Sequence, residues 1–429
     1  MNIFNRCPSK KIRLFLNMIS RHSTCIYLVL LFVLSFLHLY FAFRTNQFFA
    51  EDDFAVLSFV KNHDLFSLLK QFLLNGDPFG FRKVLGFLNF KLLFDLFKVN
   101  PLPFILNNHT LHLANLFLLF FIVKNLTKKP FVAFFIAVIF NKFYIFSFMN
   151  IHDYLGTFFC LTSIYLFLKS DKFPRWSLFF FFLSLLTREV AASLPFLLVI
   201  LTMIKKGNLK KVVPYFLLLV LYGVYQLSFI ITGHLAPRNE SYKISFDLLA
   251  IKSSVLFYFK PALILLLVTL PFLSRNYKAW LILVLVFITL FPTFTLINRH
   301  LLYYLYFPMT YVMIYLGLTL PDLTYKSLPV YIICILVFGG RSVFPLLAKQ
   351  DYPNWQKVSL ENVTMQVEET LKGNPDIDWV DLSSIYLERD AREMLRYNVV
   401  DLFIAKEFSN KYTFKSELKN KIIRVEKKF

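Results

Sequence analysis

Charged residues are scarce in this chain, and cysteine is scarcer still. Only 17% of the 429 residues are charged, while 57% are hydrophobic; a soluble domain has about 25% charged residues. This composition excludes an ordinary soluble protein. The four cysteines, Cys7, Cys25, Cys160 and Cys334, lie far apart and form no CxxC pair. The sequence therefore predicts neither a disulfide framework nor a cysteine metal site.

Acidic residues are the rarer of the two charge types. The chain has 26 of them against 47 Lys and Arg, a net charge of +21. The two signs balance from residue 349 to the end, so the excess falls on residues 1–348, which hold only twelve acids. A strongly basic balance is typical of nucleic-acid-binding proteins, but those are polar. The apolar content here excludes nucleic acid as a partner.

Long apolar runs take up most of residues 1–348. A helix that crosses a bilayer needs about 20 predominantly apolar residues. The runs predict about eleven transmembrane helices, of which the fifth and sixth are short and separated by Arg188 and Glu189. They lie at 25–43, 107–123, 131–148, 153–168, 176–187, 190–204, 212–232, 253–273, 279–297, 301–320 and 328–346.

The basic residues indicate an orientation, because cytoplasmic loops carry an excess of Lys and Arg. Six short segments together hold 18 basic residues and two acids. With eleven crossings they all lie on one side, which predicts a cytoplasmic N-terminus and an extracytoplasmic C-terminus. Ten of the twelve acids then face the outer side. The six segments are 1–24, 124–129, 169–175, 205–211, 275–278 and 321–326.

The sequence thus predicts a multi-pass α-helical protein of the plasma or cytoplasmic membrane, with a small extracytoplasmic α/β domain. A basic cytoplasmic tail covers 1–24, the transmembrane domain covers 25–346, and the soluble domain covers 347–429. The transmembrane domain includes an outer loop at 44–106.

Local patterns predict elements within the loop and the tail. In the loop, amphipathic helices in the membrane interface are expected at 54–74 and 81–98, with a break at Gly76-Asp77-Pro78. In the tail, a helix is expected at 354–372 and strands at 377–387, 399–404 and 421–426.

Three adjacent acids, Glu51-Asp52-Asp53, follow the first predicted span. Adjacent carboxylates repel one another, so we expect the cluster to have a structural or a functional role. One interpretation is a helix N-cap, for which Asp is a preferred residue. The other is a carboxylate that acts as general base or cation ligand at the membrane surface.

Two further polar groups interrupt the apolar runs. Arg188-Glu189 separates two short helices, and ionisable groups at membrane depth are functional candidates; the alternative is a self-neutralising pair in an interfacial turn. His152-Asp153 lies in a short outer loop, where a helix cap is the alternative.

Arg299-His300 begins the tenth span and is followed by Tyr303, Tyr304 and Tyr306. This pattern indicates either an aromatic belt with a snorkelling arginine or a phosphate clamp, because guanidinium binds phosphate in a bidentate way. All these groups are predicted on the same face of the membrane. Acids beside arginines at that surface suit a substrate with a lipid tail and a phosphate head.

These motifs together resemble the GT-C superfamily of integral-membrane glycosyltransferases. The nearest branch is the protein O-mannosyltransferases and the related transmembrane-TPR mannosyltransferase-like proteins. The similarity runs from about residue 25 to 320. This chain departs from the family in having Lys83 instead of Pro after Arg82, Arg188 instead of Lys, and no TPR repeats. The motifs are FFAEDDF (48–54), the segment 81–120 with Arg82, Asn108, His112 and Asn115, LLTREVAASLP (185–195) and NRHLLYYLYFP (298–308).

The resemblance implies an inverting transfer of a hexosyl or pentosyl group from a polyprenyl-phosphate donor to an acceptor in a protein, lipid or glycan. Asp52 or Asp53 would be the base, within the triplet that Glu51 begins. The participation of a divalent cation is left open; its ligands would be Asp52, Asp53 and Asp153. Donor-phosphate contacts are expected from Arg299, Arg188, Arg82 and His300, and supporting contacts from Glu189, His152, Asp153, Asn108 and His112.

Three other functions are compatible with the sequence. A lipid or small-molecule transporter or flippase would have ionisable residues near helix midpoints and broken helices in paired halves. A non-catalytic membrane scaffold would leave the acidic triplet unexplained. A polymerase or ligase of lipid-linked sugars would use the same membrane face without the early acidic motif.

Overall fold

The computed structural model describes most of the chain. Apart from Thr24, the predicted cytoplasmic tail lies outside the described residues. These are residues 24–37, 39–40, 52–72, 84–143, 150–170, 174–231, 245–274, 279–295, 302–324, 327–339, 352–383, 389–396, 398–417 and 421–428.

The apolar part of the chain is helical. Its helices are α1 (Thr24–Leu37), α2 (Asp52–Lys61), α3 (Leu65–Lys70), α4 (Val84–Phe97), α5 (Pro101–Thr127), α6 (Pro130–Asn141), α7 (Ile151–Lys169), α8 (Arg175–Leu185), α9 (Leu194–Ile204), α10 (Val213–Ile231), α11 (Leu248–Tyr258), α12 (Pro261–Ser274), α13 (Ala279–Phe294), α14 (Tyr306–Thr319) and α15 (Leu328–Gly339). Short 3-10 turns precede α9, α10 and α14, at Glu189–Ser193, Leu209–Val212 and Leu302–Leu305.

The chain is a helical membrane protein. Among the described residues, three helices are long and apolar enough to cross a bilayer: Pro101–Thr127, Ile151–Lys169 and Leu209–Ser228. A fourth span results if α11 and α12 count as one broken span. Further apolar helices are shorter, including α8 and α9 on either side of the predicted Arg188-Glu189 turn. The count of eleven spans stays a prediction.

The span predicted at 253–273 contains a break. The chain bends by 82° between α11 and α12, and Phe259 between them is extended, with φ −120° and ψ 103°. Pro261 explains the break, because proline has no N–H to donate and disfavours the helical conformation in the residue before it.

The first outer loop contains helices where the sequence predicted them. Helices α2 and α3 occupy the segment predicted at 54–74, except that α2 begins two residues earlier, at Asp52. Helix α4 lies within the segment predicted at 81–98. Asp64 separates α2 from α3 as an N-cap, accepting a hydrogen bond of 2.8 Å from the backbone N–H of Ser67. This bond lowers the pKa of the Asp64 carboxyl. The predicted break at 76–78 lies outside the described residues.

The C-terminal region contains helices and a small antiparallel sheet with strand order β1-β3-β2. Val380 pairs with Ile423, and Phe414 pairs with Val425. These residues are buried, so one face of the sheet packs on the helices. The elements are α16 (Tyr352–Gly373), β1 (Trp379–Asp381), α17 (Arg389–Arg396), α18 (Lys406–Lys411), β2 (Tyr412–Glu417) and β3 (Ile422–Lys427).

The sequence predicted this region in part. The helix at 354–372 and the strand at 421–426 are confirmed, and β1 covers a small part of the strand expected at 377–387. The strand expected at 399–404 is wrong. There Val400–Leu402 form a 3-10 turn, and the N–H groups of Leu402, Phe403 and Ile404 bond to the carbonyls of Val399 and Val400. Strand β2 was not predicted.

Buried apolar side chains form two clusters. The larger joins the helices of the membrane part. The smaller joins α2, α3 and α4 of the first outer loop with α16, α17 and the sheet of the C-terminal region. The first loop and the C-terminal region therefore share one core.

Helices α5 and α14 approach closely at Gly317, and this contact gives a test of the packing. A Cβ added at Gly317 would lie 2.6 Å from Val123 Cγ1. We expect Gly317→Ala to destabilise the protein by about 1–3 kcal/mol, because overpacking displaces neighbours. The measurement is the Tm of the detergent-solubilised protein.

Gly223→Ala is the matched control, since no described atom lies within 4 Å of the added Cβ. Alanine favours a helix over glycine by up to about 1 kcal/mol, so this variant should keep or raise the Tm. Equal Tm values for the two variants would contradict the close approach at Gly317.

Candidate functional site

Three consecutive residues at the start of α7 contact three different parts of the chain. His152 packs on Phe87 of α4, with ring centroids 4.8 Å apart. Asp153 binds Arg188, and Tyr154 meets Tyr306 at 4.6 Å. Successive helical residues point about 100° apart, so one turn of α7 reaches all three neighbours. We call His152, Asp153, Tyr154 and the residues they contact the polar junction.

Asp153 and Arg188 form a buried ion pair. Asp153 Oδ1 lies 2.7 Å from Arg188 Nε and 2.6 Å from Nη2. The two side chains are only 5% and 3% exposed. Arg188 Nη1 lies 3.6 Å from Glu189, which is 44% exposed, and the guanidinium lies 5.9 Å from the ring centroid of Tyr304. The buried positive charge is thus neutralised and enclosed.

The local backbone explains how Arg188 reaches Asp153. Arg188 is extended, with φ −149° and ψ 128°, between α8 and the following 3-10 turn. Its N–H donates to Ser184 O, and Ser184 Oγ donates to Gly156 O on α7. A Cβ at Gly156 would lie 3.1 Å from Arg188 Cβ and Cγ. Glycine at this position lets the arginine stem pass close to α7.

His152 occupies a similarly tight position. A Cβ on Gly86 of α4 would lie 1.8 Å from His152 Nδ1, so only glycine fits there. The N–H of Leu85 also donates to Leu186 O, just before Arg188. Helix α4 of the first loop therefore contacts both His152 on α7 and the segment that leads to Arg188.

His112 of α5 lies in a buried hydrogen-bond network. Its Nε2 is 3.2 Å from Asn141 Oδ1, and its Nδ1 is 2.7 Å from the Tyr306 hydroxyl. An amide oxygen only accepts, so Nε2 carries the proton and Tyr306 donates to Nδ1. Asn115 donates to the Tyr306 oxygen at 3.1 Å and to Tyr154 O at 3.0 Å. Both nitrogens of His112 are engaged, so His112 orients Tyr306 and is not a base with an open lone pair.

Asp53 is the buried member of the acidic triplet. It lies in the first turn of α2 and is 2% exposed. A helix N-terminus stabilises a carboxylate there, since its N–H groups and dipole favour negative charge. Asp52 is the first residue of α2, so the N-cap position falls on Glu51, outside the described residues, and the role of Asp52 stays a prediction.

The structure brings together several of the predicted site residues. His152, Asp153, Arg188 and Glu189 are adjacent, and His112 joins them through Tyr154, with ring centroids 6.0 Å apart. Asn108 is buried one turn before His112 on α5. The predicted residues Glu51, Arg82, Arg299 and His300 lie outside the described residues.

Some residues of the site were not predicted. Asn141 and Tyr154 lie inside apolar runs, and no motif marked them. Tyr306 had been considered only as a belt residue, yet it is 1% exposed and bonded to His112. The sequence alone could have marked Asn141 as a candidate, because Asn141 and Lys142 are polar residues in the middle of an apolar run.

The described residues contain no group of three or more His, Cys, Asp or Glu side chains that could hold a metal ion. The role of Asp52, Asp53 and Asp153 as cation ligands stays a prediction. A cavity of about 190 Å³ lies between α6 and α15, with Lys142 as its one charged lining residue. Its other lining residues are apolar, so it is not a second polar site.

Known proteins provide no match to this chain. No protein-family model matches it, and neither a curated protein nor a solved structure matches it significantly. The resemblance to the GT-C superfamily therefore rests on the motifs in the sequence alone.

Removing one partner of the buried ion pair should destabilise the fold. We expect Asp153→Ala and Arg188→Ala each to cost about 3–5 kcal/mol, because the remaining charge is buried without compensation. The combined Asp153→Leu and Arg188→Met variant should cost much less than the sum. The measurement is the free energy of unfolding in detergent of the two single variants and the double variant.

Lys415→Ala is the control for this test. It breaks an exposed ion pair with Glu426 at 2.9 Å, in which the side chains are 63% and 56% exposed. The expected cost is below about 1 kcal/mol. Equal costs for Lys415→Ala and Asp153→Ala would show that the Asp153–Arg188 pair is solvated.

Proposed function

We propose that this protein is an inverting membrane glycosyltransferase that uses a polyprenyl-phosphate-linked sugar at the extracytoplasmic face. The observation that carries the proposal is the burial of two aspartates and one arginine among apolar helices. Counted over the whole residue, backbone included, Asp53, Asp153 and Arg188 are 2%, 3% and 3% exposed. Buried charges are costly and cluster at functional sites, and a carboxylate with a guanidinium suits a hydroxyl acceptor and a phosphate leaving group.

The reaction assigns the base to the start of α2. Asp52 or Asp53 takes the proton of the acceptor hydroxyl, whose oxygen attacks the sugar C1 from the side opposite the phosphate. The bond between C1 and the phosphate oxygen breaks, and polyprenyl phosphate leaves with the electron pair. The developing charge requires cations, and Arg299, Arg188 and Arg82 are assigned this role, with His300 beside them.

The ion pair limits how Arg188 can act. Asp153 already binds Nε and Nη2, so a donor phosphate would approach the Nη1 side, where Glu189 now lies 3.6 Å away. Glu189 is partly exposed and can move aside. Asp153 then holds the guanidinium in one orientation, and His152 and His112 support the helices around it.

The orientation is part of the proposal. The basic segments of the sequence support a cytoplasmic N-terminus and eleven crossings. In that arrangement the first outer loop, the Arg188-Glu189 turn and the C-terminal region face the same side. The acceptor, whether protein, lipid or glycan, would enter from there.

A transporter is the second candidate, favoured by the broken pair of helices α11 and α12, which bend by 82°. Interrupted helices are typical of substrate sites in transporters. The two functions differ in chemistry. A transferase cleaves the bond between sugar and phosphate, whereas a transporter or flippase moves the lipid unchanged. Mass spectrometry of the lipid after incubation with purified protein separates them.

The acidic motif gives the direct test of the proposed function. We expect Asp52→Asn or Asp53→Asn, at least one of them, to lower the rate of sugar transfer by about 10²–10⁴-fold, the usual contribution of a general base. The assay measures transfer from a radiolabelled polyprenyl-phosphate sugar by the reconstituted protein.

Asp64→Asn is the matched control in the same loop. Asp64 is the N-cap of α3, and Asn caps a helix as well as Asp does. This variant should keep the wild-type rate. Full activity of both Asp52→Asn and Asp53→Asn would remove the acidic motif from the reaction.

The orientation has its own test. A cysteine introduced at Lys349 should react with a membrane-impermeant maleimide in intact cells, while one at Lys210 should react only after permeabilisation. The endogenous cysteines are replaced by serine first. Labelling at Lys210 but not at Lys349 in intact cells would contradict the proposed topology.

A further inference from the structure

Asp401 and Phe403 of the C-terminal region each contact helix α2, on which helix α17 of the same region also packs. The ring of Phe403 packs edge-on against Phe54, with 5.8 Å between centroids and 73° between the planes. Asp401 Oδ1 lies 2.6 Å from Lys61 Nζ. Asp401 and Phe403 belong to one short segment, the 3-10 turn Val400–Leu402 and the residue after it. We call these two contacts the α2 clamp.

The two contacts lie on the same face of α2. Phe54 and Lys61 are seven residues apart, which is almost two full helical turns, so they lie on the same face and about 10 Å apart along the axis. Two contacts on one face fix both the position of a helix and its rotation about its axis. Asp53 precedes Phe54 and points about 100° away from it. The rotation of α2 therefore sets the direction of the Asp53 carboxylate.

The contacts of the α2 clamp are stabilised by burial of the side chains that make them. Phe54 is fully buried and belongs to the core that the first loop shares with the C-terminal region, where Phe403 packs against it. The Lys61 and Asp401 side chains are only 28% and 23% exposed, less than half the exposure of the Lys415–Glu426 pair. Partial burial weakens screening by water and salt, so this pair holds α2 better than a surface pair would.

We propose that Asp401 and Phe403 are positioning residues, which hold α2 in the rotation that directs the acidic motif towards the acceptor. This inference rests on the proposed function. It makes the C-terminal region part of the transfer site, acting through α2 without touching the substrate.

The test combines loss, rescue and a matched control. Phe403→Ala removes the ring, and Asp401→Lys reverses the charge opposite Lys61. We expect kcat to fall about 10- to 100-fold in each, since a displacement of about 1 Å can cost 10² in rate, while KM for the donor changes less than about twofold. The acidic limb of the pH–rate profile should also move, because the carboxylate changes its surroundings.

Rescue distinguishes positioning from general damage. The double variant Lys61→Asp with Asp401→Lys restores the ion pair and should recover most of kcat, and Phe403→Leu should retain more activity than Phe403→Ala. Glu426→Lys reverses a charge in the same region but away from α2, and should leave kcat and the pH profile unchanged. An equal loss of kcat in Glu426→Lys would overturn the inference.

Two outcomes separate this inference from the proposed function. If the wild-type protein transfers sugar and Phe403→Ala and Asp401→Lys keep its kcat and pH profile, the inference fails and the proposed function stands. If the wild type transfers no sugar, the proposed function fails, and hydrogen exchange then tests the α2 clamp alone. Faster exchange of the α2 amides in Phe403→Ala than in Glu426→Lys supports the clamp, and equal exchange overturns it.

Discussion

The Asp153–Arg188 ion pair is the interaction on which the polar junction depends. Taking two charges out of water is costly, and their attraction repays the cost only when geometry and additional hydrogen bonds are good. Here one carboxylate oxygen binds two guanidinium nitrogens, and Glu189 and Tyr304 enclose the rest of the guanidinium. This arrangement requires α7, α8 and the following turn to meet at one place. Gly156 allows the approach, and the bond from Ser184 to Gly156 O secures it.

The junction extends from the ion pair to helix α4, and through it to α2 and the C-terminal region, by contacts along α7. His152 faces Gly86 and Phe87 of α4. Helix α4 shares an apolar core with α2 and with the C-terminal region. A continuous series of packed side chains therefore runs from Arg188 to the helix that begins with Asp52. The acidic motif and the buried arginine, 135 residues apart in sequence, belong to one connected structure.

The sequence predicted the kinds of elements better than the site itself. Apolar runs and basic loops indicated a helical membrane protein, and the pairing of α8 and α9 around Arg188 follows from the charges that interrupt one run. Hydrophobicity did not show the break before Pro261, because the apolar run continues across it. For the site, isolated charges marked Asp153 and Arg188, but their pairing depends on tertiary packing. Asn141-Lys142 marked a polar position in an apolar run, but the bond from Asn141 to His112 likewise depends on tertiary packing.

The length of the helices explains why the polar residues must pair. Helices α6 and α8 have 12 and 11 residues, about 17 Å at 1.5 Å per residue, little more than half of the roughly 30 Å hydrocarbon core. Asn141 ends α6, and Arg188 follows the last turn of α8. A buried charge or amide without a partner is costly. The ion pair and the His112 network satisfy the polar side chains at the ends of these short helices.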